Sequence, residues 1–409
     1  MCSEIPIGGF DLRLAHSKSR RNGTMRAILC LGVAGAALLA PMAHAQDVTA
    51  DKDGITFEGD NFELVFGGRL HADTVSVNDD ITPIPSKSDI RRFRVNATLT
   101  IADDLRVKLD HDIGGVSTGW KNAWIEYRGI DNLSIKAGQM IVPFNGEDMM
   151  SSNNLKFMER GLPSVLAPNF AVGGQVRYRG DNWSVTGGYF GDPIDQDPIR
   201  ATDEGESVVG RVVYAPIKER RRAVHLAGAI EHRQLKDLEP SRVSAQPEFG
   251  LSSVTLIRTG TQPDVQAYTN YNAEAGYMQG PFMVKGQYIT RQNDAPAIGD
   301  PSYNGASAEA AYVITGERQR YSSTSGTFGA IRPRSKYGAV EVAARYSTLD
   351  LSDALVTGGE QTNYSVGVNW YINENVRLMG NYIKADAKPN RNGVDESADA
   401  LMGRLQIAY

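Results

Sequence analysis

Apolar and polar positions alternate with a period of two along most of the chain. Phe62, Leu64 and Phe66 alternate with Glu63, Val65 and Gly67, ahead of Arg69. Phe93, Val95, Ala97, Leu99 and Ile101 alternate with Arg92, Arg94, Asn96, Thr98 and Thr100. Tyr364, Val366, Val368 and Trp370, and later Leu405, Ile407 and Tyr409, repeat the pattern. Successive side chains of a strand point to opposite faces, so this is the signature of strands with one apolar and one polar face. Strands are predicted near 62–72, 89–101, 105–112, 120–128, 133–140, 173–180, 183–190, 206–214, 223–232, 266–277, 282–291, 306–315, 337–347, 362–372, 376–385 and 398–409. That makes sixteen.

The connections separate two architectures that alternation alone leaves open. A soluble sandwich turns its apolar face to a core; a membrane barrel turns it to lipid. Here short and long connections take turns. Short ones fall at 102–104, 129–132, 180–182, 215–222, 279–281 and 373–375. Long ones fall near 73–88, 113–119, 141–172, 191–205, 233–265, 292–305, 348–361 and 386–397. Short turns at one end and long loops at the other characterise transmembrane barrels. One connection, 316–336, should be short and is not. An even strand count with both termini at one end allows closure, and closure is needed because an unpaired backbone group in lipid costs several kcal/mol. Sixteen strands leave an aqueous channel rather than a packed interior. Aromatics such as Trp120, Tyr127, Trp183, Tyr189 and Tyr382 recur near strand ends, as girdles do.

The longest ordered-looking connection reads QMIVPFNGEDMMSSNNLKFMERGLPSVLAPNF, residues 139–170. Phe144, Leu155, Phe157, Met158, Leu162, Val165 and Leu166 favour burial, so the segment has to pack on something. The predicted solution is a third outer loop folded inward to narrow the bore.

Composition refines this picture. Residues 1–45 read as a secretory signal peptide: Arg20, Arg21 and Arg26 precede an apolar run from Ala27 to Ala40, and Ala43-His44-Ala45 has the form of a cleavage site. A start at Met25 also fits, because residues 1–24 add nothing that a signal needs and Arg26 still precedes the apolar run. Cys2 and Cys30, the only cysteines, fall within it. Residues 46–61 read as a short polar leader and 62–409 as the barrel. Removing 1–45, with five basic and two acidic side chains, leaves a formal net charge of −8. That argues against a nucleic-acid surface. It does not exclude an anion channel, because charges on outer loops lie beyond a Debye length of about 8 Å from a constriction.

The segments IKAGQ, PF and SSNN..KFMERGLPS, the block ITGERQRYSSTSGTFGAIRPRSKYGAVEVAARYSTLDL and the ending ALMGRLQIAY resemble the phosphate-selective porin O/P family of bacterial outer membranes. The resemblance spans nearly all of 46–409, with Tyr409 where the family usually ends in Phe. It implies a trimeric sixteen-stranded porin in the outer membrane of a Gram-negative bacterium, reached by Sec export, with an arginine-lined bore that passes small anions such as chloride and phosphate. Lipid and lipopolysaccharide are the expected surroundings. No cofactor is expected.

The polar faces assigned to the bore carry Arg69, Arg92, Arg94, Arg106, Lys108, Lys136 and Arg177, with Arg345, Arg377 and Arg404 later. The long loop adds Lys156 and Arg160. Arg91 falls on the other face unless a bulge shifts it. By resemblance, Arg69, Arg91, Arg92 and Lys156 match the bore-lining basic positions. Rings of such side chains select anions by field and hydrogen bonding, and arginine donates two bonds at once to a phosphate. Asp110, Asp112, Glu126, Glu231 and Glu341 share the bore face, and Glu147, Asp148 and Glu159 lie on the loop, so a weakly selective general porin stays open as the alternative. Asp192, Asp195, Asp197, Asp203 and Glu204 form an acidic rim that reads as a solvated loop sooner than as a bridge to lipopolysaccharide through divalent cations. A barrel enzyme or adhesin is the remaining class, and no catalytic motif or metal-ligand spacing supports it.

Overall fold

The computed structural model describes residues 45–409 apart from 52–53, 117, 195–202, 237–240 and 263–264. The segment read as a signal lies, up to His44, outside the described residues.

Strands follow the alternation. A hairpin of β1 (Asp47–Asp51) and β2 (Gly54–Gly59) comes first. The wall begins with β3 (Phe62–Asp79), β4 (Lys87–Ile101), β5 (Leu105–Gly115), β6 (Gly119–Ile130) and β7 (Leu133–Ile141). It continues with β8 (Phe170–Arg179), β9 (Trp183–Phe190), β10 (Glu206–Lys218) and β11 (Arg222–Gln234). Two short strands, β12 (Ser244–Ala245) and β13 (Ile257–Arg258), pair within the next connection. The wall resumes with β14 (Ala267–Gln279), β15 (Phe282–Asp294) and β16 (Ser302–Val313). After a small hairpin, β17 (Gln319–Ser322) and β18 (Thr327–Ile331), it ends with β19 (Ala339–Asp353), β20 (Val356–Tyr371), β21 (Val376–Ala387) and β22 (Glu396–Ala408). Every wall pairing is antiparallel. β22 pairs with β3 from Ala398↔Asp79 to Ala408↔Arg69, which closes a sixteen-stranded barrel.

Polarity is inverted relative to a soluble domain. Val95, Ile125, Val176, Val212, Leu226 and Val366 are exposed on the outer wall, whereas Asn270, Glu341, Asn363 and Asn369 are fully buried on the inner one. No helix among the described residues is long and apolar enough to cross a membrane. The apolar core sits where the loops meet the inner wall, with Phe144, Met158, Leu162, Leu166, Phe249 and Ile289 in one cluster.

Four boundaries differ from the sequence reading. Residues 73–79, expected in a loop, extend β3 against β4 and β22. Residues 348–361, also expected as a long loop, are strand up to a tight turn at Ala354, which adopts φ 51°. Their Ser, Thr, Asp and Gly content reads as loop, yet the inner face of these strand ends is buried: Leu349 and Leu351 are fully buried in the apolar cluster under the loops. The 46–61 leader is a hairpin: Ile55↔Phe66 and Phe57↔Leu64 pair β2 with the lower half of β3, and Phe57 meets Phe66 edge-on at 6.0 Å. The anomalous 316–336 connection contains the β17–β18 hairpin, which folds into the bore. There Tyr321 and Phe328 pack on His225, and the Ser184 hydroxyl donates to Thr324 O at 3.1 Å. Gly326, at φ 67°, needs to be glycine, since a Cβ would stand 2.9 Å from the His225 ring.

Candidate functional site

The connection from β7 to β8, residues 142–169, crosses the bore. Its only α-helical turn, α1 (Gly146–Met149), is capped by Asn145, which accepts from the Glu147 N–H at 2.8 Å. A 3-10 turn follows at Leu162–Leu166. Most of the segment lacks regular structure, so its backbone carbonyls need outside partners. The wall supplies them. Arg211 donates to Phe144 O at 2.6 Å, Arg377 to Asn153 O at 3.1 Å and Leu155 O at 2.6 Å, and Arg404 to Met158 O at 2.9 Å. Arg345 reaches Glu159 O at 2.9 Å, Arg291 reaches Leu166 O at 2.9 Å, and Asn369 reaches Lys156 O at 2.9 Å. Arg345, Arg377 and Arg404, read from sequence as bore-facing charges, are inward but serve as clamps for the loop. Parity along a strand says inward; it does not say that a loop has already taken the guanidinium.

The passage left beside the loop is a cavity of about 930 Å³. Its basic lining comprises Arg69, Arg91, Arg92, Arg94, Lys108, Lys121 and Arg160; its acidic lining comprises Asp110, Asp112, Asp148, Glu159 and Glu248. Arg91 reaches the bore through the bulge its position required: His71 pairs with Arg92 and Ala72 with Ile90, so Arg91 is skipped. Its guanidinium grips Glu159 with two bonds of 2.8 and 2.9 Å. Arg92, at 3.5 Å, and Arg404, at 3.2 Å, hold the same carboxylate. Burial alone would push Glu159 up, but Arg91, Arg92 and Arg404 outweigh it and hold it well below the usual carboxylate range. Arg94 pairs with Asp112 at 2.8 Å and Asp110 at 3.5 Å, and Arg160 with Asp148 at 2.8 Å.

Arg69 and Lys108 differ. Among the described residues neither has a carboxylate partner within ion-pair distance. Arg69 donates instead to the hydroxyls of Ser151 and Ser152, at 3.2 and 2.9 Å. The two serines come from the loop and Arg69 from β3, so the fold assembles a guanidinium and two hydroxyls on one side of the passage.

Arg106, Lys136 and Arg177 form a separate lower tier near the short-turn end, outside this cavity. Arg106 and Lys136 lie 3.5 and 3.6 Å from Glu126, Lys136 sits 4.2 Å over the Trp124 ring, and Arg177 bonds Thr186 Oγ1 at 3.3 Å. Lys156 is displaced from the expected role. It is 2 % exposed, does not line the cavity, and its ammonium lies 3.2 Å from Glu341 Oε1 on β19. The signal that could have separated Lys156 from Arg160 is local: Leu155, Phe157 and Met158 around it are all buried. Of the acidic rim, Asp195 and Asp197 lie outside the described residues, and Asp192 pairs with Arg233 at 2.6 Å. Among the described residues no group of His, Cys, Asp and Glu side chains is placed to hold a metal ion.

A closed barrel with a lipid-type outer wall and a charged bore narrowed by its own loop defines the class: an outer-membrane porin. The chain belongs to the phosphate-selective porin O and P family, whose model matches residues 65–409. Porin O of Pseudomonas aeruginosa is 26% identical, over 92% of this chain and 98% of that protein. An uncharacterized protein of Caulobacter vibrioides is 30% identical over 79% of this chain and 68% of its own length. Among solved structures, the trimer form of OmpT of Vibrio cholerae matches with a TM-score of 0.54 at 14% identity, covering 86% of this chain and 100% of that one. An anion-selective porin from Comamonas acidovorans matches with a TM-score of 0.53 at 13% identity, over 85% and 100%. Membership places the protein in the outer membrane of Gram-negative bacteria.

Proposed function

We propose that the barrel passes small anions, chloride and phosphate among them, by passive diffusion through the cavity beside the loop. One observation carries the reading: the lining holds more basic than acidic side chains, and among the described residues Arg69 and Lys108 have no carboxylate within ion-pair distance, Arg69 donating to serine hydroxyls instead. A passing anion supplies it. The Arg91, Arg92, Arg94 and Arg160 pairs set the walls of that passage, and Arg106, Lys136 and Arg177 form a second basic tier on the way out. Phosphate fits the chemistry beside Arg69. A guanidinium fork and two serine hydroxyls donate to phosphate oxygens, while Asp110 and Asp112 nearby accept from a protonated one. The family's name and the anion-selective Comamonas relative agree with this reading. Three barrels per particle and export with removal of residues 1–45 belong to the same proposal.

A general, weakly selective porin is the second reading, favoured by the acids that neutralise Arg94 and Arg160. Planar-bilayer reversal potentials in a salt gradient separate the two. Anion preference for chloride, and stronger block of chloride current by phosphate than by sulfate, are expected. A cation preference in the unmodified protein would end the proposal.

A further inference from the structure

On the outside of the barrel, at its short-turn end, lies a recess of about 700 Å³ lined by Arg221, Arg222, Tyr277, Phe282 and Tyr312 around the Gly280–Pro281 turn. Strand parity fixes its side. Phe282 and Tyr312 are exposed, while their neighbours Met283 and Ala311 are buried inside the barrel. Register brings the aromatics together: Phe282 pairs with Tyr312 on β16 and with Gln279 on β14. Outward aromatics at strand ends stand at the level of lipid headgroups.

The charge is held in place as well. The Gly280 N–H donates to Arg221 O at 2.7 Å, and a Cβ on Gly280 would stand 3.2 Å from Arg221 Nη2, so the guanidinium lies over the neighbouring turn. Arg222 is paired with Glu219 at 2.8 Å; Arg221 has no ion-pair partner among the described residues. More positive charge stands behind it. Burial and the guanidiniums of Arg220, Arg320, Arg334 and Arg221 hold Arg318 below the ordinary arginine range.

We propose that this recess seats an anionic glycerophospholipid of the periplasmic leaflet, its headgroup phosphate on Arg221 and its upper acyl chain against Tyr277, Phe282 and Tyr312. A planar guanidinium matches a phosphate with two bonds, and basic groups at a membrane surface attract anionic headgroups. A flat aromatic lining suits the boundary between acyl chain and headgroup. A permeating ion has no access, because the recess opens on the opposite face of the wall from the cavity. Lipopolysaccharide occupies the other leaflet.

The barrel is reconstituted in nanodiscs of phosphatidylethanolamine and phosphatidylglycerol in equal parts, released into mild detergent and weighed with its retained lipid by native mass spectrometry. The unmodified protein retains phosphatidylglycerol in preference to phosphatidylethanolamine. Arg221→Gln lowers that retention by about fivefold, the factor expected of one basic group at an anionic surface, and leaves single-channel conductance unchanged. Arg332→Gln, at the same end but paired with Glu374 at 3.2 Å, leaves retention unchanged. Heat-modifiable gel mobility shows that each variant is folded. Equal retention by the unmodified protein and Arg221→Gln, or no preference for the anionic lipid, overturns the proposal. Residues 46–409 contain no cysteine, so Phe282→Cys tests the rival occupant: a disulfide between two barrels puts a second copy in the recess and also overturns it.

Discussion

Arg69 and Lys108 carry the selectivity argument at the residue scale. Arg91, Arg92, Arg94 and Arg160 each face a carboxylate, so their net field in the passage is small. A single uncompensated unit charge about 4 Å from a passing ion is worth roughly 1 kcal/mol at the dielectric constant of water and about 4 at an effective value of 20. Arg69→Gln should therefore lower the chloride-to-potassium permeability ratio by at least about fivefold, read from reversal potentials, with Lys108→Gln acting in the same direction. Asp148 adds a pH dependence. Burial raises it to about 7, against the pull of Arg160. Below that pH it is neutral and one negative charge leaves the lining, so anion preference should rise as pH falls from about 8 to about 6. Asp148→Asn should show the low-pH preference at both values. A pH-independent unmodified channel would show that Asp148 does not titrate in this range.

At the scale of elements, the long loop is positioned less by its own structure than by the wall. Its few regular turns leave carbonyls that Arg211, Arg291, Arg345, Arg377 and Arg404 fill. The buried Lys156–Glu341 pair ties the loop to β19. Removing one partner of such a pair costs roughly 3–5 kcal/mol, because the other charge stays buried. Here the bonds that Asn369 and Tyr371 donate to Glu341 soften the loss. Lys156→Ala should thus lower the thermal unfolding temperature of the barrel and leave the reversal potential nearly unchanged, the opposite of what a bore-lining lysine would do. Most of the loop was legible as a unit, since its apolar residues demanded burial in an otherwise alternating chain. Its clamps were not, because Arg291, Arg345, Arg377 and Arg404 each lie more than a hundred residues from the carbonyl they meet, and Arg211 lies 67 from Phe144.

For the whole molecule, closure and narrowing are separate achievements. β22 and β3 close the wall above Gly68, where Tyr409 ends the chain, and β2 continues the pairing along the lower part of β3. The bore is narrowed from both ends: the 142–169 loop enters from one side and the β17–β18 hairpin from the other. They meet where a Cβ on Gly146 would come within 3.2 Å of Gly326 O. Replacing residues 317–332 by a short turn should raise single-channel conductance while the barrel still folds, since no wall strand is lost; an unchanged conductance would show that the hairpin lies off the ion path.

The sequence by itself determined the strand faces, their number and the need for closure, because a period of two is written locally and lipid leaves no other way to pair the backbone. It also placed the basic side chains on the inner face. Only the tertiary structure decided which of them meet ions. Arg404 finds Asp73 on the neighbouring strand β3, Arg345 finds Glu248 and Lys156 finds Glu341 between loop and wall, and Arg69 finds only serine hydroxyls among the described residues. Whether an inward charge is spent or free depends on what the loops bring to it, and strand parity carries no information about that.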